Sequence, residues 1–261
     1  MSKLLNVYKP MGLTPLEMII LIRAKYPELK KEKIGFAGRL DPLAQGVLLL
    51  MVGSETTKQK DQFLNLPKMY EFETVFGMAT DTYDALGMLQ KPNILANIEK
   101  QSLKTKIQEF IQSKLGKQIQ SYPPFSSKTV NGKPLFWWIK NNKLAAIKIP
   151  TQKIEIYSFD LIKTSQLSSK QLKNKIFKQI KSVKGDFRQE KIKEKWTDFF
   201  AIHQNQIFST ARFSINCSSG TYIRSITNEL GGKLDTGAIT IEIKRTKVGK
   251  FALKDSLILQ K

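Results

Sequence analysis

One cysteine, Cys217, and one histidine, His203, are all the sequence holds of either residue. A disulfide needs two thiols and a structural zinc site about four Cys or His ligands, so neither can be built within the chain. A Ser-His-Asp triad or a His-ligated metal would rest on His203 alone. Neither residue has partners nearby in sequence, and both are read as structural, the thiol as a small buried hydrophobe. Long apolar runs are missing too. The longest, Leu43 to Val52, is broken by Gln45 and falls well short of the ~20 residues of a spanning helix. The start, M-S-K-L-L-N-V-Y-K-P, holds no apolar stretch of signal-peptide length. G-x-G-x-x-G, Walker A, C-x-x-C pairs and H-E-x-x-H are all absent, so dinucleotide, NTPase and zinc chemistry lack their usual marks. The expectation is a cytoplasmic protein with no metal, no cofactor and no membrane partner.

Acidic residues are scarce: 22 Asp and Glu stand against 43 Lys and Arg, a net charge of +21. An excess of that size repels itself in a compact chain, which points to a polyanionic partner. Nucleic acid leads, with an anionic membrane surface second. Arginine is scarcer still, 6 residues against 37 lysines. Lysine therefore carries the bulk charge, and each arginine stands out as a candidate for its planar fork. What is plentiful is ordinary core material. Hydrophobic residues make up 41% of 261, enough for one large domain or two small ones without staples.

Along the chain, L-L-N-V-Y (4–8) alternates as a short strand and K-P-M-G (9–12) is its turn. Leu16 to Tyr26 has helical spacing, with Pro15 in the first turn and Pro27 as the stop. The glycine-punctuated G-F-A-G-R-L-D-P (35–42) leads into G-V-L-L-L-M-V-G (46–53), an apolar run read as a central strand buried on both faces. A short helix is expected over 55–64, a strand over 69–76 and a loop over 77–87. Residues 94–115 read as an amphipathic helix, and S-Y-P-P-F-S-S (121–127) as extended because of its prolines. V-N-G-K-P (130–134) is a hairpin-like turn before the packed segment L-F-W-W-I (135–139), whose Trp137 and Trp138 read as core and rim. Strands follow at 154–162, 210–217 and 239–244, with a helix at 221–230. Residues 163–206 differ, carrying 11 Lys and Arg against 4 Asp and Glu with helical periodicity. They read as a lysine-rich, mostly helical insertion. Strands and helices interleave without a regular βαβ rhythm, so the fold class expected is α+β with a large mixed or mostly antiparallel sheet flanked by helices.

The strongest local oddity is Asp41. A carboxylate between Leu40 and Pro42, at the mouth of an apolar strand, is costly without a partner, although an aspartate before proline also commonly caps a turn. G-R-L-D-P-L-A-Q-G-V-L-L-L (38–50) resembles the aspartate motif of pseudouridine synthases. More closely, the chain resembles the bacterial tRNA pseudouridine-55 synthase (TruB) family. K-P-M-G-L-T (9–14) matches its K-P-x-G-x-T, K-M-Y-E-F (68–72) its K-x-Y-E, and G-M-A-T-D-T-Y-D-A-L-G (77–87) its G-x-x-T-D-T-x-D-x-x-G. P-P-F-S-S-K-T-V-N-G-K (123–133) is similar to its P-P-x-x-S-A-x-K-V-N-G-K with one residue fewer, and C-S-S-G-T-Y-I-R (217–224) to C-x-x-G-T-Y-I-R. Six motifs in order span residues 9 to 224.

The resemblance implies the site residues. Asp41 falls on the family's essential aspartate, and Arg224 on the arginine that pairs with it and fixes its direction. Tyr70 falls on the tyrosine that stacks on the target base, which must be flipped out before chemistry. Tyr222 lines the same pocket, and Ile243 falls where the family has a packing apolar residue. Without the family match, Tyr70 and Ile243 would read as strand core. The reaction rejoins uracil to its ribose through carbon, adds nothing and loses nothing, and so needs no cofactor or metal. Departures from the pattern are Phe36 and Arg39, where the family shows G-H-x-G-T-L-D-P. Phe36 could wedge into the RNA loop by stacking. Arg39 makes an R-L-D as in synthases acting on ribosomal RNA. The family's Y-L-R-R appears as E-I-K-R (242–245). Many members continue into a small C-terminal RNA-binding PUA domain, whereas this sequence stops at Lys261.

The expectation is therefore one catalytic domain over 1–261, carrying the insertion at 163–206 as a substitute grip on phosphates. It would act as a monomer on the T arm of tRNA, isomerising uridine 55. A ribosomal-RNA pseudouridine synthase and a non-catalytic tRNA-binding or folding protein are the alternatives.

Overall fold

The computed structural model describes residues 3–90 and 100–259. β1 (Lys3–Lys9) is followed by α1 (Pro15–Lys25), which starts where the sequence predicts. Thr14 closes a capping box with Glu17, each side chain bonding the other's backbone N–H, and Pro15 occupies the first turn, where its missing N–H costs nothing. β2 (Ile34–Ala37) and β3 (Ala44–Val52) come next, then two short helices, α2 (Ser54–Lys58) and α3 (Lys60–Leu64), in place of the single one expected. After β4 (Lys68–Phe76), α4 (Lys100–Lys114) covers most of the helix expected at 94–115; residues 94–99 lie outside the described residues. β5 (Gly116–Ser121) leads to the small hairpin β6 (Thr129–Val130) and β7 (Lys133–Pro134), turned by Asn131 and Gly132, both at positive φ. α5 (Leu135–Lys140), β8 (Thr151–Ser168), α6 (Ser169–Ser182) and α7 (Gln189–Ile202) precede β9 (Ile207–Cys217). α8 (Ile223–Lys233), β10 (Ala238–Val248) and β11 (Phe251–Ala252) complete the order.

One large sheet runs β1-β3-β10-β4-β9-β8-β5, with β2 added to β3 and β11 to β10. Every pairing is antiparallel except β3 with β10. The fold is α+β with a mixed, mostly antiparallel sheet, and β4 shows how its faces divide. Phe72 and Phe76 pack toward α4 and α8, and Thr74 bonds Thr227 of α8. Between them in sequence, Glu73 reaches Lys175 of α6, and Val75 joins the cluster of α6 and α7. The first face is the larger core, in which the Phe72 and Phe213 rings stack with centroids 5.0 Å apart. β3 is buried on both sides, as expected: Leu48, Leu50 and Val52 meet α1, while Leu49 and Met51 meet Phe63 and Leu66.

The expected insertion differs in its first part. Residues 163–168 extend β8, paired from Lys163 opposite Arg212 to Ser168 opposite Ile207. These six residues, K-T-S-Q-L-S, hold one charge, and grouping them with the lysine-rich stretch that follows hid the strand. Only 169–182 and 189–202 are helical, and they are not a surface ornament. Leu172, Ile176, Ile180, Ile192 and Trp196 are buried against Val75 and Ile241 of the sheet.

β3 also decides where the site lies. Ile34–Ala37 pair with residues 49–52 of β3, and then Ile243–Arg245 of β10 take over along Ala44–Gly46. The loop 38–43 emerges at that fork. Gly46 permits the change of partner: its φ is +113°, and a Cβ there would come within 2.1 Å of the Arg245 carbonyl oxygen. Among the described residues, no helix is long and apolar enough to cross a membrane.

Candidate active site

Asp41 is carried on the loop between β2 and β3, and the K-P-M-G turn holds that loop from below. Gly12 N–H donates to the Pro42 carbonyl at 2.8 Å, and Ala44 N–H donates to the Asp41 carbonyl at 3.0 Å. Lys9, with no exposed surface, donates Nζ to the carbonyls of Leu13 (2.5 Å), Pro10 (3.0 Å) and Pro42 (3.4 Å). Burial pulls its ammonium down to about 7, against the attraction of the Asp41 carboxylate. Gly12 must be glycine because a Cβ would lie 2.5 Å from the Ser182 carbonyl oxygen at the end of α6.

The partner of Asp41 is Arg224, on the first turn of α8. Arg224 Nε donates to Asp41 Oδ2 at 2.8 Å, Nη1 to the Thr82 carbonyl at 2.6 Å and Nη2 to the Phe125 carbonyl at 3.3 Å. The arginine side chain is 4% exposed and the aspartate 32%, so the guanidinium is fixed from behind while the carboxylate faces open space. Asp84 Oδ2 lies 3.8 Å from the same Nε. Its Oδ1 accepts from Thr82 Oγ1 (2.6 Å) and Leu86 N–H (2.9 Å). Burial raises the Asp84 carboxyl above the usual range, opposed by Arg224. The T-D-T-Y-D loop is thus a cradle for the arginine, and Gly87 closes it, since a Cβ there would meet Thr82 Oγ1 at 2.3 Å.

Asp41 and Arg224 form one wall of a cavity of about 470 Å3, which Tyr70, Tyr222, Ile243 and Arg39 also line. Tyr222 stands just before α8 in extended backbone. Gln120 of β5 fixes it from both sides, accepting its N–H at 2.8 Å and donating to its carbonyl at 3.1 Å. Burial pushes the Tyr222 hydroxyl up to about 12, and Asp41 adds to the shift. Ile243 reaches the cavity because β10 sets it beside both Ala44 and Phe72. Phe36 lies elsewhere. It is a β2 residue packed against the α1 cluster, with the Arg39 guanidinium 5.5 Å from its ring centroid, and it does not line the cavity.

Residues 27–185 match the family model of the TruB family pseudouridylate synthase, N-terminal domain. The chain belongs to the TruB family. Over its whole length it is 31% identical to tRNA pseudouridine synthase B of Clostridium kluyveri and 29% identical to that of Clostridium tetani, covering 72% of each. It is 27% identical to tRNA pseudouridine synthase B of Aquifex aeolicus, covering 73% of it. Among solved structures, it matches a chain of a Cbf5-Nop10-Gar1 complex with a TM-score of 0.58 at 19% identity. It also matches a chain of an H/ACA RNP bound to a substrate RNA containing 2′-deoxyuridine, with a TM-score of 0.55 at 18% identity. These two matches cover 98% of this chain and about half of the solved chains, and they are likenesses of fold.

As a TruB-family member the protein is a pseudouridine synthase, and its cavity is lined by two further cations, Arg245 and Lys68, that fall within the quoted motifs but were given no role there. Arg245, the last residue of E-I-K-R, is 1% exposed. It donates Nε to the Val47 carbonyl (2.7 Å) and Nη2 to the Gly38 carbonyl (3.0 Å), tying β10 to both ends of the Asp41 region. Its guanidinium also opposes the upward shift that burial imposes on the Tyr70 hydroxyl. Lys68, buried beside it and donating to the Leu64 carbonyl, is lowered to about 8, mainly by burial and further by Arg245. The scarcity of arginine was the available signal for Arg245.

Proposed function

We propose that this synthase acts on tRNA and converts the uridine at position 55 of the T loop to pseudouridine. The observation that carries the reading is the Asp41–Arg224 pair at 2.8 Å, opening onto a cavity with Tyr70 in a chain whose full-length relatives are tRNA pseudouridine synthases. In the reaction the bond between N1 of uracil and C1′ of the ribose breaks, the freed base turns, and C5 bonds to C1′. C5 gives up a proton and N1 gains one, so atoms and charge balance with no added group.

Asp41 is the group for the ribose and base, either attacking covalently or removing a sugar proton. Arg224 aims it: three donors with three acceptors leave the guanidinium one orientation. Tyr70 replaces, with its ring, the stacking that the uracil loses on leaving the RNA loop. Its buried hydroxyl stays protonated at neutral pH, so it serves as a hydrogen-bonding relay for the C5 proton. Tyr222 and Ile243 close the cavity around the base and exclude water. Surface lysines, including Lys170, Lys173, Lys181 and Lys184 on and just after α6, meet phosphates and supply affinity, while loop shape supplies selectivity.

Tritium release from transcripts labelled at uracil C5 tests the substrate class. Release from tRNA, with ribosomal-RNA fragments neither reacting nor competing, is the expected result. Preferential release from the ribosomal fragments would move the protein to the other substrate, a direction that Arg39 beside Leu40-Asp41 makes worth the control.

A further inference from the structure

Arg188 stands at the turn between α6 and α7, beyond the stretch the family model matches. Its backbone is left-handed (φ 64°, ψ 25°), a conformation that a residue other than glycine keeps only where its surroundings hold it. Here its N–H donates to Asp186 Oδ1 at 3.2 Å, and the side chain turns back toward the Asp41 loop. Nη1 donates to Asp81 Oδ2 at 2.7 Å and Nη2 to Asp81 Oδ1 at 3.1 Å, a two-pronged pair. The same guanidinium lies over the Phe125 ring, 4.3 Å from its centroid. Asp81 precedes Thr82, and the carbonyls of Thr82 and Phe125 are the two that hold Arg224. One guanidinium thus holds a side chain of each of these two segments, and it lines, with Asp41 and Arg224, a second cavity of about 340 Å3. Its own base is firm, because α7 is anchored through Trp196, whose Nε1 donates to the Ala85 carbonyl at 3.3 Å.

We propose that Arg188 is a positioning residue for the reaction: it locks the Thr82 and Phe125 carbonyls that aim Arg224 at Asp41, so that the α6–α7 segment governs turnover. This rests on the reading of Asp41 and Arg224 as the reacting pair. A lysine cannot replace it, since an ammonium neither bridges both Asp81 oxygens nor stacks flat on Phe125.

The test measures single-turnover pseudouridine formation at saturating tRNA transcript, together with tRNA affinity, for wild type, Arg188→Ala and Arg188→Lys. Hydrogen exchange over residues 79–86 and 123–127 is followed in the free proteins. Both variants should lose about tenfold to a hundredfold in rate at saturation, the penalty of a small misplacement near the reacting atoms. Their affinity should stay within a few-fold, and exchange in both segments should quicken. A loss of affinity with full rate at saturation would make Arg188 a phosphate grip and overturn the proposal. So would full rate in Arg188→Lys, or unchanged exchange in Arg188→Ala. Wild type that leaves tRNA unmodified would overturn the tRNA assignment instead, and the exchange comparison would still decide the clamp.

Discussion

Each nitrogen of Arg224 has its own acceptor, on Asp41, Thr82 and Phe125, which is why a shorter list of contacts cannot do its work. Arg224→Lys keeps the charge but leaves at least one buried carbonyl unpaired. It should cost roughly 1–3 kcal/mol in urea unfolding and reduce turnover by more than the affinity for RNA. Equal loss in both would argue against an aiming role. Cys217 presents the opposite case, a residue with chemistry that the fold silences. Its thiol is buried, raised to about 11, and its Sγ sits 3.7 Å from the Lys68 carbonyl oxygen. Native protein at pH 8 should therefore not react with a disulfide reagent, whereas urea-unfolded protein should yield one thiol per chain; rapid native reaction would refute the burial. Asp41 was legible because a charge beside an apolar strand needs a reason, and Arg224 because the resemblance carried it. Arg245 and Arg188 were not, since the Val47, Gly38 and Asp81 groups that hold them come from segments far away in sequence, and Asp84 was not because its tie to the site runs through the distant Arg224. Phe36 was expected at the RNA because it replaces a histidine in the motif. Alternation along β2 turns it instead toward α1.

The elements repeat this pattern of local legibility and distant surprise. α1 was readable from its spacing and prolines and β3 from its apolar run, and a helix was expected at 221–230 where α8 lies. The bounds that moved were set by tertiary partners. β8 continues to Ser168 because β9 pairs with it along its whole later half. α8 continues through Gly231 because that glycine packs against Ala238, where a Cβ would lie 2.2 Å from the backbone nitrogen. The pair α6 and α7 is a wall of the core, and Trp196 is its largest buried side chain. Trp196→Ala should cost about 3–5 kcal/mol of stability, read as a lower denaturant midpoint with an unchanged slope. A cost below 1 kcal/mol would return the pair to the status of an attached ornament. For the same reason, charge-removing substitutions at the exposed lysines are a cleaner probe of RNA grip than deletion of the segment.

The molecule as a whole carries a net charge of +21 yet buries several cations around one cavity. Lys9 makes this visible in bulk stability. Its ammonium is lowered from 10.5 to about 7 by burial, so between those values the unfolded chain binds the extra proton. Stability should then rise with pH from 7 upward, the contribution being lost as pH falls back through 7. Lys68, at about 8, acts with the same sign, whereas Cys217 acts oppositely between its ordinary 9.0 and about 11. The clean window is therefore about pH 7 to 9, where Lys9→Met should flatten the slope of unfolding free energy against pH. An unaltered slope in that variant would contradict the burial of a cation under the Asp41 loop.

The most direct test of the account is pseudouridine mapping on an unmodified tRNA transcript, by carbodiimide labelling and primer-extension stops. Wild type and Asp41→Asn are run in parallel, with tRNA affinity measured for both. Wild type should give a single stop at the T-loop uridine. Asp41→Asn should give none while binding tRNA within a few-fold of wild type, because phosphate contacts dominate affinity. A stop that persists in Asp41→Asn, or tight binding of tRNA by wild type with no stop at all, would contradict it.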